Sequence, residues 1–546
     1  MSEKRAIARA AGVVGALTVV SRVTGLLRDA VVGYLFGAGT AADAFFVAFR
    51  IPNLLRRLVG EGAASAAFIP IFTDYLTTRP RREADHVARV LFTIMAVALA
   101  AITIAGVLLA APITRLFAPG FATVPGKLEL TISLTRLVFP YVLFIGIVAA
   151  ATGILNSLRD FTAPALSPIV FNVVLVVVAI AAAPWLGIYG LAVGTVVGGM
   201  AQLLTQVPAL KRLRVPLRPG WDPRHPAVGR LGRLMLPTVF GSAVYQINVL
   251  VSTMFASLLP AGSVSYLWYA ERLLEFPLGV FAVALSTAAL PSFAALAKHD
   301  AAEFRETVGF ALRLVNVVAL PAAVGLALLA DPITSVLFQR GEFGAQEAQQ
   351  TAVAVRWFAL GLWSVASARM LVPAFYALED TRTPVLTAAV AFLANLGFVI
   401  LFIGPLPAPI DSPLGRGLAA ATRAASVLAL RHGGLALATS LAATTNLLLL
   451  CVAFRRAVGG FAWRAWLASI LRTAVAALAM VPVVLAITSR IAWFGGGISF
   501  AVRTAWLLAA IAAGTLVFAA IALVLGGSEV RAVRIALRRR LAARWR

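Results

Sequence analysis

Eight ionisable side chains fall within two apolar stretches near the start of this chain: Arg22, Arg28, Asp29, Asp43, Arg50, Arg56, Arg57 and Glu61. One charge at the middle of a lone membrane-crossing helix costs about 2.5–3.5 kcal/mol. If all of them faced lipid, the cost would exceed the entire net stability of a folded protein, about 5–15 kcal/mol. They must face a wet cavity or one another. Asp43, Arg50 and Arg57 are seven apart, which stacks them on one helical face at about 10.5 Å per step. Ser21, Gly25 and Arg28 follow an i, i+4, i+7 pattern. In the second half, Arg272 lies among Trp268, Tyr269, Glu271 and Glu275, and Pro277 just after them invites a kink. Arg272 with Glu275, or Arg28 with Asp29 and Asp43, also read as ion pairs that only hold helices together, and Arg56 reads as a marker of a helix end. The excess of Arg22, Arg28, Arg50, Arg57 and Arg272 over acids favours an anion-binding cavity. Guanidinium forks chelate phosphate oxygens bidentately, so the expected anion carries phosphate.

The elements that must position these residues are membrane-spanning helices. Hydrophobic residues make up 61% of 546 positions and charged residues 13%, against roughly 25% charged in a soluble domain. Apolar runs of about 20 residues, the length that crosses a hydrocarbon core, recur along the chain. They predict helices over 11–36, 41–75, 88–113, 129–156, 162–183, 187–210, 234–259, 264–296, 307–331, 350–377, 383–404, 433–454, 465–489 and 501–526. The fold class expected is all-α and polytopic, with about 14 spans. Basic residues in short loops stay cytoplasmic, and Arg79–Arg89, Lys211–Arg233, Lys298–Arg305 and Arg455–Arg464 alternate with outward connections such as Phe36–Thr40, Ala183–Gly187 and Leu259–Ser263, which carry none. Both termini are then cytoplasmic. The tail bearing Arg531, Arg534, Arg538, Arg539, Arg540, Arg544 and Arg546 reads either as an amphipathic segment on the anionic leaflet or as a solvated topology anchor. The exception is 405–432, with Arg416, Arg423 and Arg431 on the outward side, expected as a re-entrant or surface helix. The formal charge of +25 is thus a matter of topology, not of nucleic-acid binding. A single cysteine, Cys451, and four scattered histidines exclude a disulfide framework and give no metal-ligand spacing.

The chain also repeats itself with an offset near 220. Pro112-Ile113-Thr114 returns as Pro332-Ile333-Thr334, Arg136 as Arg356, and Leu158, Asp160 and Pro164 as Leu378, Asp380 and Pro384. Each repeat holds six spans, so both copies face the same way and are expected as two pseudo-symmetric bundles with a cleft between them. The expected organisation is an N-terminal bundle over 1–210, a basic linker over 211–233, a second bundle over 234–454, and two extra helices with a basic tail over 455–546.

The segments that carry the charges resemble the lipid II flippase family MurJ (MviN), of the multidrug/oligosaccharidyl-lipid/polysaccharide exporter superfamily. The likeness rests on Ser21 through Asp29, on Phe36-Gly37-Ala38-Gly39, on Ala42 through Arg57, on Glu61-Gly62-Ala63, on Ala66 through Pro70, and on Tyr269 through Pro277. It implies a bacterial inner-membrane flippase that carries undecaprenyl-pyrophosphate-linked peptidoglycan precursor outward for cell-wall synthesis, and not an enzyme. The family's essential arginines fall on Arg22, Arg28, Arg57 and Arg272 and its essential acid on Asp43, with Asp29 and Arg50 inside the same motifs. The resemblance further implies a groove for the polyprenyl tail along helices thirteen and fourteen. Some members bind sodium between the seventh and eleventh helices, and Asp380 and Asn248 are the positions here nearest to that pattern. No cofactor or metal is expected. The membrane potential or a monovalent cation is expected to supply the coupling, and the expected partners are lipid II, membrane lipids and cell-wall synthesis or division proteins around a monomer.

Two rival readings lie beside this one. An exporter of drugs or of another lipid-linked oligosaccharide on the same fold would not need the arginines of the first and eighth helices. A transferase acting on polyprenyl phosphates would need an acidic metal cluster or a general base in a loop, and the acids here are mostly single.

Overall fold

The computed structural model describes residues 3–56, 65–216, 218–406, 413–531 and 535. It is all-helical apart from one isolated bridge between Arg340 and Phe343. The chain divides into two compact units. The first, Met1–Ser265 with Pro409–Gly415, holds α1 (Glu3–Phe36), α2 (Thr40–Leu55), α3 (Ser65–Thr78), α4 (Arg81–Leu108), α5 (Ala110–Phe117), α6 (Lys127–Val138), α7 (Tyr141–Ser157), α8 (Thr162–Leu186), α9 (Ile188–Arg212) and α10 (Pro226–Ser257). Next in the chain comes α11 (Ser263–Pro277), and the division falls in its first turn. The second unit, Tyr266–Ala408 with Arg416–Arg546, continues through a π-helical turn (Leu278–Ala282) into α12 (Val283–His299), α13 (Ala301–Leu328), α14 (Ala330–Leu337), α15 (Ala345–Ala377) and α16 (Arg382–Phe402). It ends with α17 (Pro413–Ala425), α18 (His432–Val458), α19 (Trp463–Thr488) and α20 (Phe500–Leu525). The division therefore lies at Ser265, and α10 goes with the first unit.

Ten helical stretches among the described residues are long and apolar enough to cross a membrane. The other four expected spans are also helical, at α1, α2 with α3, α10, and α11 with α12. They include the segments that carry the intramembrane charges. The chain is a multi-span membrane protein. Its lipid-facing character shows on α19, where Leu467, Leu471, Val475 and Leu478 form an exposed stripe at helical spacing.

The repeat seen in the residues is equally plain in the element boundaries. Helices α4 and α13, α5 and α14, the ends of α7 and α15, and the starts of α8 and α16 are each displaced by 220 positions. The shared Leu-x-Asp motif has a mechanical purpose. Arg159 and Glu379 both take positive φ, at 62° and 61°, which stops one helix, and the following aspartate starts the next. Asp160 accepts from the Thr162 amide at 3.2 Å, and Asp380 accepts from the Arg382 and Thr383 amides at 3.0 Å each. These are N-cap bonds, and replacing a capping Asp by Ala costs about 1 kcal/mol. Hydrogen bonds from the Thr383 side chain and amide hold the Asp380 carboxyl below its usual value. A depressed carboxyl stabilises the fold above its unfolded pKa and loses that contribution as pH falls through the folded one. Asp380→Ala is therefore expected to lower the melting temperature modestly at neutral pH, with the deficit vanishing in acid; a deficit constant across pH contradicts the capping role.

The symmetry breaks after α16, at the segment expected to be irregular. Helix α17 is too short to span, and its Arg416 and Arg423 are exposed. The chain then returns along the end of α16, where the amides of Val427 and Leu430 donate to Leu401 and Phe402 at 2.9 and 3.0 Å. Gly434 lies so close to that end that a β-carbon there would come within 2.2 Å of the Phe402 carbonyl oxygen.

The two extra helices pack on α13. Asn316 donates to Ser469 at 3.4 Å, Trp363 donates to Asn316 at 2.8 Å, and Trp363 stacks on Trp466 with centroids 6.0 Å apart. Just past α20, the buried Glu529 lies 3.9 Å from both Arg313 of α13 and Arg472 of α19. Of the basic tail, Arg534, Arg538, Arg539, Arg540, Arg544 and Arg546 lie outside the described residues.

Candidate functional site

Helix α1 presents Arg22 and Arg28 six residues apart, about 9 Å along its axis. Both are partly buried. Arg28 is fixed from two sides: Nε and Nη2 donate to Asp29 Oδ1 at 3.0 and 2.7 Å, and Nη1 donates to Asn172 Oδ1 on α8 at 3.1 Å. The Asn172 amide in turn donates to the Ser21 carbonyl at 3.3 Å and the Thr24 hydroxyl at 3.2 Å. Gly25 lies against the same side chain: a β-carbon there would make ordinary contact with the Asn172 nitrogen, at 3.6 Å. Ser21, Thr24, Gly25 and Arg28 are thus one face of α1 docked on one asparagine, with Arg28 held in a set orientation at its end. Asn172 had no signal in the sequence, because a lone asparagine in an apolar helix has no spacing partner.

Helix α2 is buried from Ala42 to Asn53. Arg50, 7% exposed, donates to Thr253 Oγ1 on α10 at 2.6 Å. One face-step earlier, Asp43 is 1% exposed and accepts four bonds. They come from Lys127 Nζ at 2.8 Å, the Gly262 amide at 2.7 Å, the Ser265 amide at 2.9 Å and the Ser265 hydroxyl at 2.7 Å. A carboxylate has about four lone-pair sites, so Asp43 is saturated. The sequence reading gives this acid to the substrate; the structure places it at the N-terminus of α11, where a carboxylate complements the helix dipole. Lys127, 2% exposed and 4.1 Å above the Phe121 ring, neutralises it. Next to it the Gly120 amide donates to Ser257 Oγ at 3.2 Å, and any side chain at Gly120 would strike the Ser257 carbonyl. Lys127 is absent from the sequence-based set. It had a signal: of four lysines, Lys4, Lys211 and Lys298 lie in segments assigned to the cytoplasm, and Lys127 alone lies at the opposite end of its span.

In the second unit, α11 carries the Tyr269–Pro277 signature. Tyr269 is fully buried against Phe338 and Phe343, with ring centroids 5.0 and 5.2 Å away. That anchor fixes the rotation of the helix. Arg272 stacks over the Trp268 ring at 4.4 Å and donates to Glu275 Oε2 at 2.6 Å. Its side chain retains 19% exposure. The Pro277 signal corresponds to the end of α11 and the π-helical turn that follows.

Arg57 and Glu61 lie outside the described residues. Asn248 is half-buried on α10 of the first unit, whereas Asp380 caps α16 in the second. Asp380 is thereby committed to a local turn, the same one its repeat partner Asp160 makes. Among the described residues no group of three or more His, Cys, Asp or Glu side chains comes together as a metal site. Arg28, Arg50 and Arg272 offer oriented guanidinium groups, each backed by a carboxylate, hydroxyl or ring. Such groups can exchange a protein partner for a phosphate oxygen without moving far.

The family model described as "Lipid II flippase MurJ" matches residues 32–504. A probable lipid II flippase MurJ of Vibrio cholerae is 39% identical over 403 residues, covering 71% of this chain and 76% of its own. The lipid II flippase MurJ of Burkholderia cenocepacia is 34% identical over 455 residues, covering 82% and 84%. Among solved structures, a lipid II flippase MurJ in an inward closed conformation aligns with a TM-score of 0.74 at 24% identity, over 93% of this chain and 97% of that one. An inward-facing MATE multidrug transporter of the MOP superfamily aligns with a TM-score of 0.64 at 14% identity, over 80% and 94%.

Proposed function

The chain belongs to the lipid II flippase MurJ family, and on that premise we propose that it carries lipid II from the inner to the outer leaflet of the bacterial inner membrane. The substrate is transported unchanged, so the protein is a transporter and not an enzyme. Its pyrophosphate and sugars cannot cross hydrocarbon unaided, because taking charge out of water costs many kcal/mol. The observation that carries the reading is the pair of oriented guanidinium stations, Arg28 on α1 and Arg272 on α11, each inside a family signature segment and each retaining some exposure. In this reading they replace water around the pyrophosphate while the polyprenyl chain stays in apolar surroundings. Arg22, Arg50 and Arg57 add positive potential from the same motifs, and Asp43 acts by locking α2 to the start of α11 through Ser265 and to α6 through Lys127. Access alternates between the leaflets, with both chain termini on the cytoplasmic side.

Purified protein in liposomes, supplied with labelled lipid II in one leaflet, tests this. Leaflet exchange without chemical conversion is expected; conversion of the lipid, or no exchange above empty liposomes, contradicts the proposal. A net cationic transport path also couples to the membrane potential at about 2.3 kcal/mol per charge per 100 mV. The exchange rate is accordingly expected to shift several-fold under an imposed diffusion potential. A rate indifferent to that potential removes electrical coupling and leaves a cation gradient as the energy source.

A further inference from the structure

The second unit contains a cavity of about 430 Å³ in which every lining side chain is apolar, among them Pro277, Phe281, Leu285, Val315, Ala319 and Ala366. It lies where the π-helical turn joins α12, against the middle of α13 and α15. On α13 its lining residues Val315, Val318 and Ala319 alternate with Arg313 and Asn316, which turn instead to Glu529 and Ser469. The cavity is therefore distinct from the surface on which α19 and α20 pack.

We propose that this cavity seats the isoprene units nearest the pyrophosphate of the lipid-linked substrate. The inference rests on the flippase reading above and adds a place for the chain. A large cavity without polar lining does not hold water, and at mid-span the matter available to fill it is hydrocarbon. The choice among hydrocarbons is set by what precedes it on the same helix. Arg272, stacked on Trp268, precedes the first lining residue, Pro277, by five positions on the same helix, about 7.5 Å of axial rise. In a polyprenyl pyrophosphate the first isoprene is bonded directly to the phosphate, so a diphosphate at Arg272 brings its first units to this depth. A cation followed within two turns by a dry cavity matches an anionic head joined to a branched chain. The π-helical turn supplies the space: Leu278, Phe281 and Ala282 all come from it and all line the wall, and such turns recur at functional sites.

The test is photolabelling of the wild-type, full-length protein in liposomes with a lipid II analogue carrying a diazirine on its first isoprene. Labelled peptides are expected within 277–288, 314–322 and 362–366. Label confined to 463–525 overturns the proposal, as does equal labelling of the cavity by a phospholipid with a diazirine in its acyl chain. As a second arm, Ala319→Phe fills the cavity and is expected to remove that label and slow leaflet exchange about tenfold at an unchanged melting temperature; undiminished exchange overturns the proposal. If this variant does not fold, the wild-type labelling pattern decides. A wild-type protein that exchanges lipid II but is labelled elsewhere discards the cavity alone, whereas one that exchanges nothing discards the flippase reading.

Discussion

Arg272→Ala is expected to abolish lipid II exchange while leaving the amount of folded protein in the membrane near normal. The two effects separate because the ion pair and the ring that Arg272 meets both come from its own helix. Glu275 is three residues along the same helix, so this ion pair cannot hold one helix to another. Pairs at i, i+3 on a helix contribute only about 0.2–0.5 kcal/mol. Removing a desolvated charged partner from a bound anion, by contrast, costs about 2–5 kcal/mol, roughly a 30-fold to several-thousand-fold loss at 1.4 kcal/mol per decade. Arg28→Ala should behave alike, because Asp29 is its neighbour in sequence and Asn172 keeps its own bonds to Ser21 and Thr24. Arg272→Lys should lie between, since an ammonium keeps the charge but loses the fork and the stacking on Trp268. Complementation of a flippase-deficient strain, read beside membrane protein levels, checks this. Protein levels that fall together with activity would make these arginines structural.

Asp43→Ala should do the opposite and act first on the fold. It strands Lys127, 2% exposed, without its carboxylate and takes the acceptor from two backbone amides and a hydroxyl. Breaking a buried pair by removing one partner costs about 3–5 kcal/mol, a large share of a net stability of about 5–15 kcal/mol. Thermal melting of detergent-purified protein should show a large drop for Asp43→Ala and for Lys127→Ala. Asp43→Asn with Lys127→Met should recover much of it, because no unpaired charge remains and the amide oxygen still accepts. An Asp43→Ala protein that melts normally but does not transport would return this acid to the substrate.

The helical class, the spans and the repeat were legible because each is written in periodicity and composition. A run of about 20 apolar residues has one reading, and an offset of 220 carried from Pro112 to Pro384 has no local cause. The arginines were legible for the same reason, since a charge in an apolar run stands out. What the sequence could not convey was partnership. Asp43 and Arg50 share a face as their spacing required, yet nothing in the spacing says that Lys127, 84 positions on, closes over Asp43, or that Thr253 takes Arg50. Asp380 was legible through the repeat: its helix-capping turn is the one that its repeat partner Asp160 makes. The division at Ser265 was hidden because the basic linker over 211–233 marks topology, while compactness depends on which helices α10 touches.

The central claim is that Arg28 and Arg272 each bind the pyrophosphate in the course of transport. Equilibrium binding of lipid II to detergent-purified wild type and to the Arg28→Ala/Arg272→Ala variant, at matched melting temperature, tests it most directly. At least a hundredfold weaker binding by the variant is the predicted result; equal affinity in the two proteins contradicts it.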